Sequence, residues 1–170
     1  MRMATRLSLV AVTVLLVASL PAGAQQPVAP PPPQIPYGAP ISLEQAKKVL
    51  AGAEAEAQKN KWNMVIAVLD SGGHLVMLAR MDGTQLGSID AAKDNAYSAV
   101  LYRRPTKVFQ DLVGQGGANL RLLRLSGASP LEGGIPIQVD GKIVGAVGVS
   151  GAASEQDAQV AKAGAGALTK

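Results

Sequence analysis

The dipeptide Asp140-Gly141, set between the apolar runs 135–139 and 142–150, constrains the fold more than any other feature of these 170 residues. A two-residue Asp-Gly connection favours the tight turn with positive φ at both positions, whose twist matches a pair of antiparallel strands. Residues 62–70, WNMVIAVLD, are too short and too uniformly apolar for a surface helix. They end at Asp70-Ser71-Gly72-Gly73, and HLVMLARM, residues 74–81, follows at once. Glycines in that position supply the backbone angles of a second hairpin.

Helical patterns fill the intervals. Ser42-Leu43-Glu44-Gln45 fits a capping box, and Leu43, Ala46, Leu50, Ala53 and Ala57 recur at helical spacing, which predicts a helix over 43–60. Another helix begins in SIDAAKDNAYSAVLYRR, residues 88–104, with Ser88 as its cap and Ala91, Ala92, Ala96 and Ala99 as a surface for close approach. Arg104-Pro105-Thr106 breaks it and opens a short helix over 105–113. Residues 114–119 read as a loop, and 120–125 fit either helix or strand. Ser154-Glu155-Gln156-Asp157 caps a final Ala-rich helix. The order αββααββα is that of an α+β single domain: an antiparallel β-sheet of two hairpins flanked by helices, with 120–125 open to a fifth strand. It is not a βαβ nucleotide-binding fold.

Ahead of this domain, 41–170, lie two segments of different character. Residues 1–24 have the layout of a secretory signal peptide: Arg2 and Arg6, an uncharged apolar stretch from Leu7 to Leu20, and the small-residue exit Ala22-Gly23-Ala24. That stretch falls short of the roughly 20 residues that span a bilayer, so no permanent membrane anchor is expected. Residues 25–40 read as a linker, because seven of the 11 prolines fall in PVAPPPPQIPYGAP, residues 27–40, a semi-extended composition with little to bury. The chain is therefore expected to be exported, periplasmic or secreted. It has no cysteine, which removes disulfides and a lipid-modified cysteine anchor. Of the net charge of +4, half sits on the leader's two arginines, so nucleic acid is not an expected partner.

The only histidine, His74, adjoins the Gly72-Gly73 turn. Its simplest role is a hydrogen bond to Asp70 across that turn. With no second histidine and no cysteine, a protein-only zinc site is not expected, and no G-x-S-x-G elbow is present. Six strand residues set His74 and Arg80 roughly 20 Å apart, so one small ligand cannot touch both. At the Arg80 end, Asp82 flanks the hairpin exit, and Tyr97, Arg103, Arg104 and Thr106 follow on the next helix and its break. Arginine forks suit carboxylates or phosphates. A solvated Arg103 and an Arg80–Asp82 surface pair explain the same residues without a ligand. Glu132-Gly133-Gly134 puts a carboxylate beside glycines that let backbone amides approach a ligand, and Gly145, Gly148 and Gly151 mark close approach within and after the last strand, most simply by a helix at Gly145 and Gly148.

Several blocks, in order, resemble one family: VLDSGGHL at 68–75, Arg80-Met81-Asp82-Gly83, Arg104-Pro105-Thr106, LEGGIP at 131–136 and VGVSG at 147–151. They are similar to the GlcG/HbpS haem-binding group, which also takes in the C-terminal domain of PduO-type proteins. The resemblance implies an antiparallel sheet flanked by helices, assembly into homo-oligomers and, for some members, binding or degradation of haem. Where the family often has Gly-Lys-Ala-Arg on the second helix, this chain reads Asp94-Asn95-Ala96-Tyr97, losing a cation at Asn95 and gaining a phenol.

If haem binds, the side chains of axial-donor type are His74, Met64, Met77, Met81, Tyr37, Tyr97 and Tyr102. The methionines lie in apolar strands where core packing is their ordinary role, which leaves Tyr97 and His74 as the first haem-iron candidates. The expected ligand pocket comprises Arg80, Asp82, Tyr97, Arg104, Thr106, Glu132, Gly133 and Gly134. The expected function is an exported, homo-oligomeric protein that binds haem or a similar planar anionic small molecule. Two other readings fit the same residues: an enzyme that degrades haem or processes a small acid with Glu132 or Asp82 as general base, and a non-catalytic envelope assembly module.

Overall fold

The computed structural model describes residues 34–168; the expected signal peptide and the start of the linker lie outside them. Helix α1 (Leu43–Asn60) is followed by β1 (Val65–Asp70), β2 (Leu75–Arg80), α2 (Ser88–Tyr102) and α3 (Lys107–Gly114). A 3-10 helix (Gly117–Arg124), β3 (Gly134–Val139), β4 (Lys142–Ser150) and α4 (Ser154–Gly166) complete the order. The four strands form one antiparallel sheet in the order β2-β1-β4-β3. Residues 120–125, open between helix and strand in the sequence, thus fall largely in the 3-10 helix and add no strand.

Strand order explains the composition of each strand. β1 and β4 are central and buried on both faces, hence their unbroken apolar runs, whereas β2 lies at an edge and stays half exposed. On one face α1 and α4 bring Ala46, Val49, Ala53, Ala57, Val160 and Ala161 against Met64, Ile66, Val68, Val147 and Val149. On the other face α2 sets Ala92, Ala96, Ala99 and Val100 against Val65, Ala67, Leu69 and Ala146.

The closest approach is that of α2. Gly134 and Gly148 are directly opposed in the β3–β4 register. A Cβ on Gly148 would collide with the Ala92 carbonyl oxygen and the Ala96 amide, and one on Gly134 with the Asn95 carbonyl. The helix backbone therefore lies directly on the glycine pair, as expected for Gly148.

The turns follow the sequence. Asp140 (φ 50°) and Gly141 (φ 72°) both take positive φ. In the first hairpin the Asp70 carboxylate accepts the amides of Gly72 (2.8 Å) and His74 (2.9 Å). Helix α1 has its capping box on Ser42 and Gln45. Ser88 does not cap α2: Gly87 occupies that position, and the Ser88 hydroxyl is buried, accepting from Gln85 and bonded to Ser150 on β4. For α4 the N-cap is Ala153, whose amide donates to Gln156, while Asp157 accepts from Ala152.

Residues 35–41, most of which the composition assigns to the linker, run along the start of β4. Ile143 donates to Pro36, Gly38 to Ile143 and Ile41 to Val144, all within 2.8–2.9 Å. The Tyr37 hydroxyl donates to the Val100 carbonyl at 2.8 Å, and the Arg103 guanidinium lies 4.3 Å from the Tyr37 ring centroid. Arg103, solvated in the ligand-free reading of the sequence, is half-buried here.

Adding one methyl group beneath α2 tests this arrangement. Gly148→Ala is expected to destabilise the fold by about 3 kcal/mol, because the new Cβ meets backbone atoms that cannot rotate away. Urea unfolding would measure it, and an unchanged midpoint would show that α2 is free to lift.

Candidate functional site

The residues expected to form one pocket are divided by the fold among three places. Arg80 ends β2 at one edge of the sheet, while Gly134 starts β3 at the other, three strand spacings or about 14 Å away. Arg80 and Asp82 are exposed and line an open cavity of about 420 Å3 with Glu54, Gln58, Asn63 and Met81. They form no ion pair with each other.

Tyr97 belongs with the other end of the hairpin. Its ring is clamped between two positive-φ glycines, Gly73 of the β1–β2 turn (φ 82°) and Gly127 (φ 69°). A Cβ on Gly73 would sit 2.9 Å from Tyr97 Cε2, and one on Gly127 2.8 Å from Cε1. The tyrosine therefore adjoins the turn that holds His74. The imidazole is 82% exposed, with Nδ1 3.4 Å from Asp70 Oδ1; the hydrogen bond expected from it across the turn is made instead by the His74 backbone amide. Beside Gly127 opens a cavity of about 500 Å3, lined by Ala91 and Asp94 of α2 and by residues 127–131.

The three tyrosines differ in what their hydroxyls do. Tyr37 donates to Val100 and Tyr102 to the Ser126 carbonyl. The Tyr97 hydroxyl has no hydrogen-bond partner among the described residues, and the side chain is 41% exposed. Met64 is fully buried, and Met77 and Met81 pack against the core.

The third place gathers Thr106, Glu132, Gly133 and Gly134. Thr106 is fully buried and tied to β3: its amide donates to the Gly134 carbonyl (3.1 Å) and its hydroxyl accepts the Gly134 amide (2.9 Å). Arg104 points elsewhere, donating to the Tyr102 carbonyl and lying 5.9 Å from the Phe109 ring centroid. Glu132 is 5% exposed and lines a cavity of about 270 Å3 with Pro105, Lys107, Val108, Asp111, Ile135 and Lys162. Sequence reasoning missed both lysines. The i, i+4 spacing of Lys107 and Asp111 is a legible pair, but nothing local places Lys162 of α4 beside β3.

Asn95, where the resemblance finds a missing cation, is itself buried. Its amide nitrogen donates to the Val149 carbonyl (3.0 Å) and its oxygen accepts from Ser129 (2.6 Å), tying α2 to β4 and to the loop that walls the larger cavity.

With this geometry in view, residues 41–166 match the family described as haem degrading protein, HbpS-like. The chain belongs to that family. It is 45% identical over 110 residues to protein GlcG of Escherichia coli K12, covering 65% of this chain and 81% of that protein. HbpS of Streptomyces reticuli, solved as a double mutant, superposes with a TM-score of 0.70 at 32% identity, covering 85% of this chain and 98% of that one. The structure of a PduOC–haem complex superposes with a TM-score of 0.68 at 26% identity, covering 76% and 95%. Haem binding is thus a property found within the HbpS-like family, and haem is the cofactor to consider for this fold.

Asp157, which lies against Gly133, gives the domain a pH signature. Burial pushes its carboxyl up to about 7, against the lowering effect of the Ala152 and Gly151 amides. Between about pH 4 and 7 the unfolded chain loses this proton while the folded one keeps it, so stability falls as pH rises through that window and levels off above it. Asp157→Asn is expected to flatten this part of the profile. Urea midpoints of both proteins from pH 4 to 8 would check it.

Proposed function

We propose that this protein binds haem or a similar planar anionic ligand at the Tyr97 end of the fold. The observation that carries the reading is the rigid clamp on Tyr97, whose hydroxyl has no partner among the described residues, with the 500 Å3 cavity opening at Gly127, one side of that clamp. A ring wedged between two glycines loses little freedom on binding, and a phenolate is an established type of haem ligand. The cavity falls within the usual size of small-molecule sites, and Ala91, Ala128, Pro130 and Leu131 offer it apolar surface. Two residues fit the iron: Tyr97 would supply the donor, with His74, whose Nε2 has no partner among the described residues, as the second candidate, while Asp94, the charged residue lining the cavity, would turn the propionates toward solvent. Haem when bound would supply redox-active iron. The relatives support this reading, since PduOC is solved with haem and the family is described as haem degrading.

Titration of the protein with haemin tests it. A Soret shift saturating at micromolar protein is expected, with the band moved or the affinity lowered at least about tenfold in Tyr97→Phe, the loss of roughly 1.4 kcal/mol. A shift identical in Tyr97→Phe and in His74→Ala would place haem elsewhere, and no shift at all would remove it.

We further propose export and self-association. The leader composition supports the first. The second is supported by Leu120, Leu123, Leu125 and Leu131, which stand 40–57% exposed on and near the 3-10 helix. Protein recovered from its own host is expected to begin at residue 25 and to have the native mass of several chains. An intact Met1 or a monomer mass by light scattering would contradict these two points respectively.

A further inference from the structure

The 270 Å3 cavity between α3, β3 and α4 has no part in the haem reading, and its chemistry is different. Glu132 is buried, and its Oε2 has no hydrogen-bond partner among the described residues. The nearest cation, Lys107 Nζ, is 3.7 Å away and already bonded to Asp111 at 2.8 Å. That ammonium attracts the carboxylate but does not fill its lone pairs, and a buried acceptor left empty calls for a donor. Lys162 lines the same cavity from α4, is exposed, and has no ion pair or hydrogen bond among the described residues. Asp111 neutralises Lys107, so Lys162 is the cation left for a ligand. Val108 and Ile135 supply apolar wall.

We infer that this cavity binds a small hydroxycarboxylate. Its hydroxyl donates to the Glu132 carboxylate, its carboxylate meets the Lys162 ammonium, and its short carbon skeleton lies against Val108 and Ile135. The volume lies just below the range of ordinary ligand pockets, which suits a molecule of a few carbons and excludes haem. Leu131 and Glu132 are consecutive yet line different cavities, so the two sites are separate.

Lactate, propionate and propane-1,2-diol separate the two contacts, because propionate lacks the hydroxyl and the diol lacks the carboxylate. Calorimetric titration of the full protein is expected to show lactate binding, with both analogues weaker by well over about tenfold, as for sites built around a ligand hydroxyl. Lys162→Ala, an exposed position, is expected to weaken lactate about tenfold while leaving the haemin titration unchanged. Glu132→Gln is expected to lower the preference for lactate over propionate. Equal binding of lactate and propionate, no binding of lactate at 10 mM, or binding indifferent to Lys162→Ala would overturn the inference. Haemin binding that fails with lactate binding intact would count against the haem site alone.

Discussion

The backbone of α2 rests on two glycines that face each other across β3 and β4, and most of the functional geometry is set by that contact. With no side chains between helix and sheet at Gly134 and Gly148, α2 comes close enough for Asn95 to reach the Val149 carbonyl. Asn95 then holds Ser129, and Thr106, just past the helix end, bonds Gly134 through both amide and hydroxyl. A larger residue at either glycine would lift the helix and pull on each of these buried polar bonds, whose loss leaves desolvated groups unpaired. The small residues are thus tied to the placing of the loop before β3, and through it to both cavities that loop helps to wall.

That same loop separates two kinds of chemistry. Leu131 lines a large cavity of mixed character, with Asp94 and Ser129 beside apolar side chains, while Glu132 lines a small one with a buried carboxylate and two lysines. Both residues lie in the bend that precedes β3, and that bend sends their side chains to different cavities. A single stretch can therefore serve two unlike sites without either compromising the other.

How much of this could be read from the sequence depended on how local the cause was. Asp140-Gly141 and the Asp70 turn act through their own backbone angles and carboxylate, so both hairpins were legible. Ser88 was misread because its hydroxyl answers to Ser150 on a distant strand. The pairing of the Pro-rich segment's end, residues 36–38, with the start of β4 was not legible, because proline content says nothing of a strand that accepts it. The candidate pocket dispersed for a related reason: strand order is a property of the whole sheet. With β2 and β3 on opposite edges, Arg80 and Glu132 cannot meet, and Tyr97 turns out to neighbour the His74 turn from which the linear distance along β2 had separated it.

The tyrosines show why residue type alone could not choose a site. Tyr37, Tyr97 and Tyr102 are chemically equivalent, and any of them can act as a phenolate. In the fold, the hydroxyls of Tyr37 and Tyr102 satisfy carbonyls at Val100 and Ser126, joining the incoming segment and the post-helical loop to α2. To bind iron, either would have to give up that bond and leave its carbonyl acceptor without its donor. Tyr97 gives up nothing, because its ring is fixed by packing against Gly73 and Gly127 rather than by its oxygen. A donor held by its carbon face, with the reactive atom free, can take a ligand without unfolding its own support.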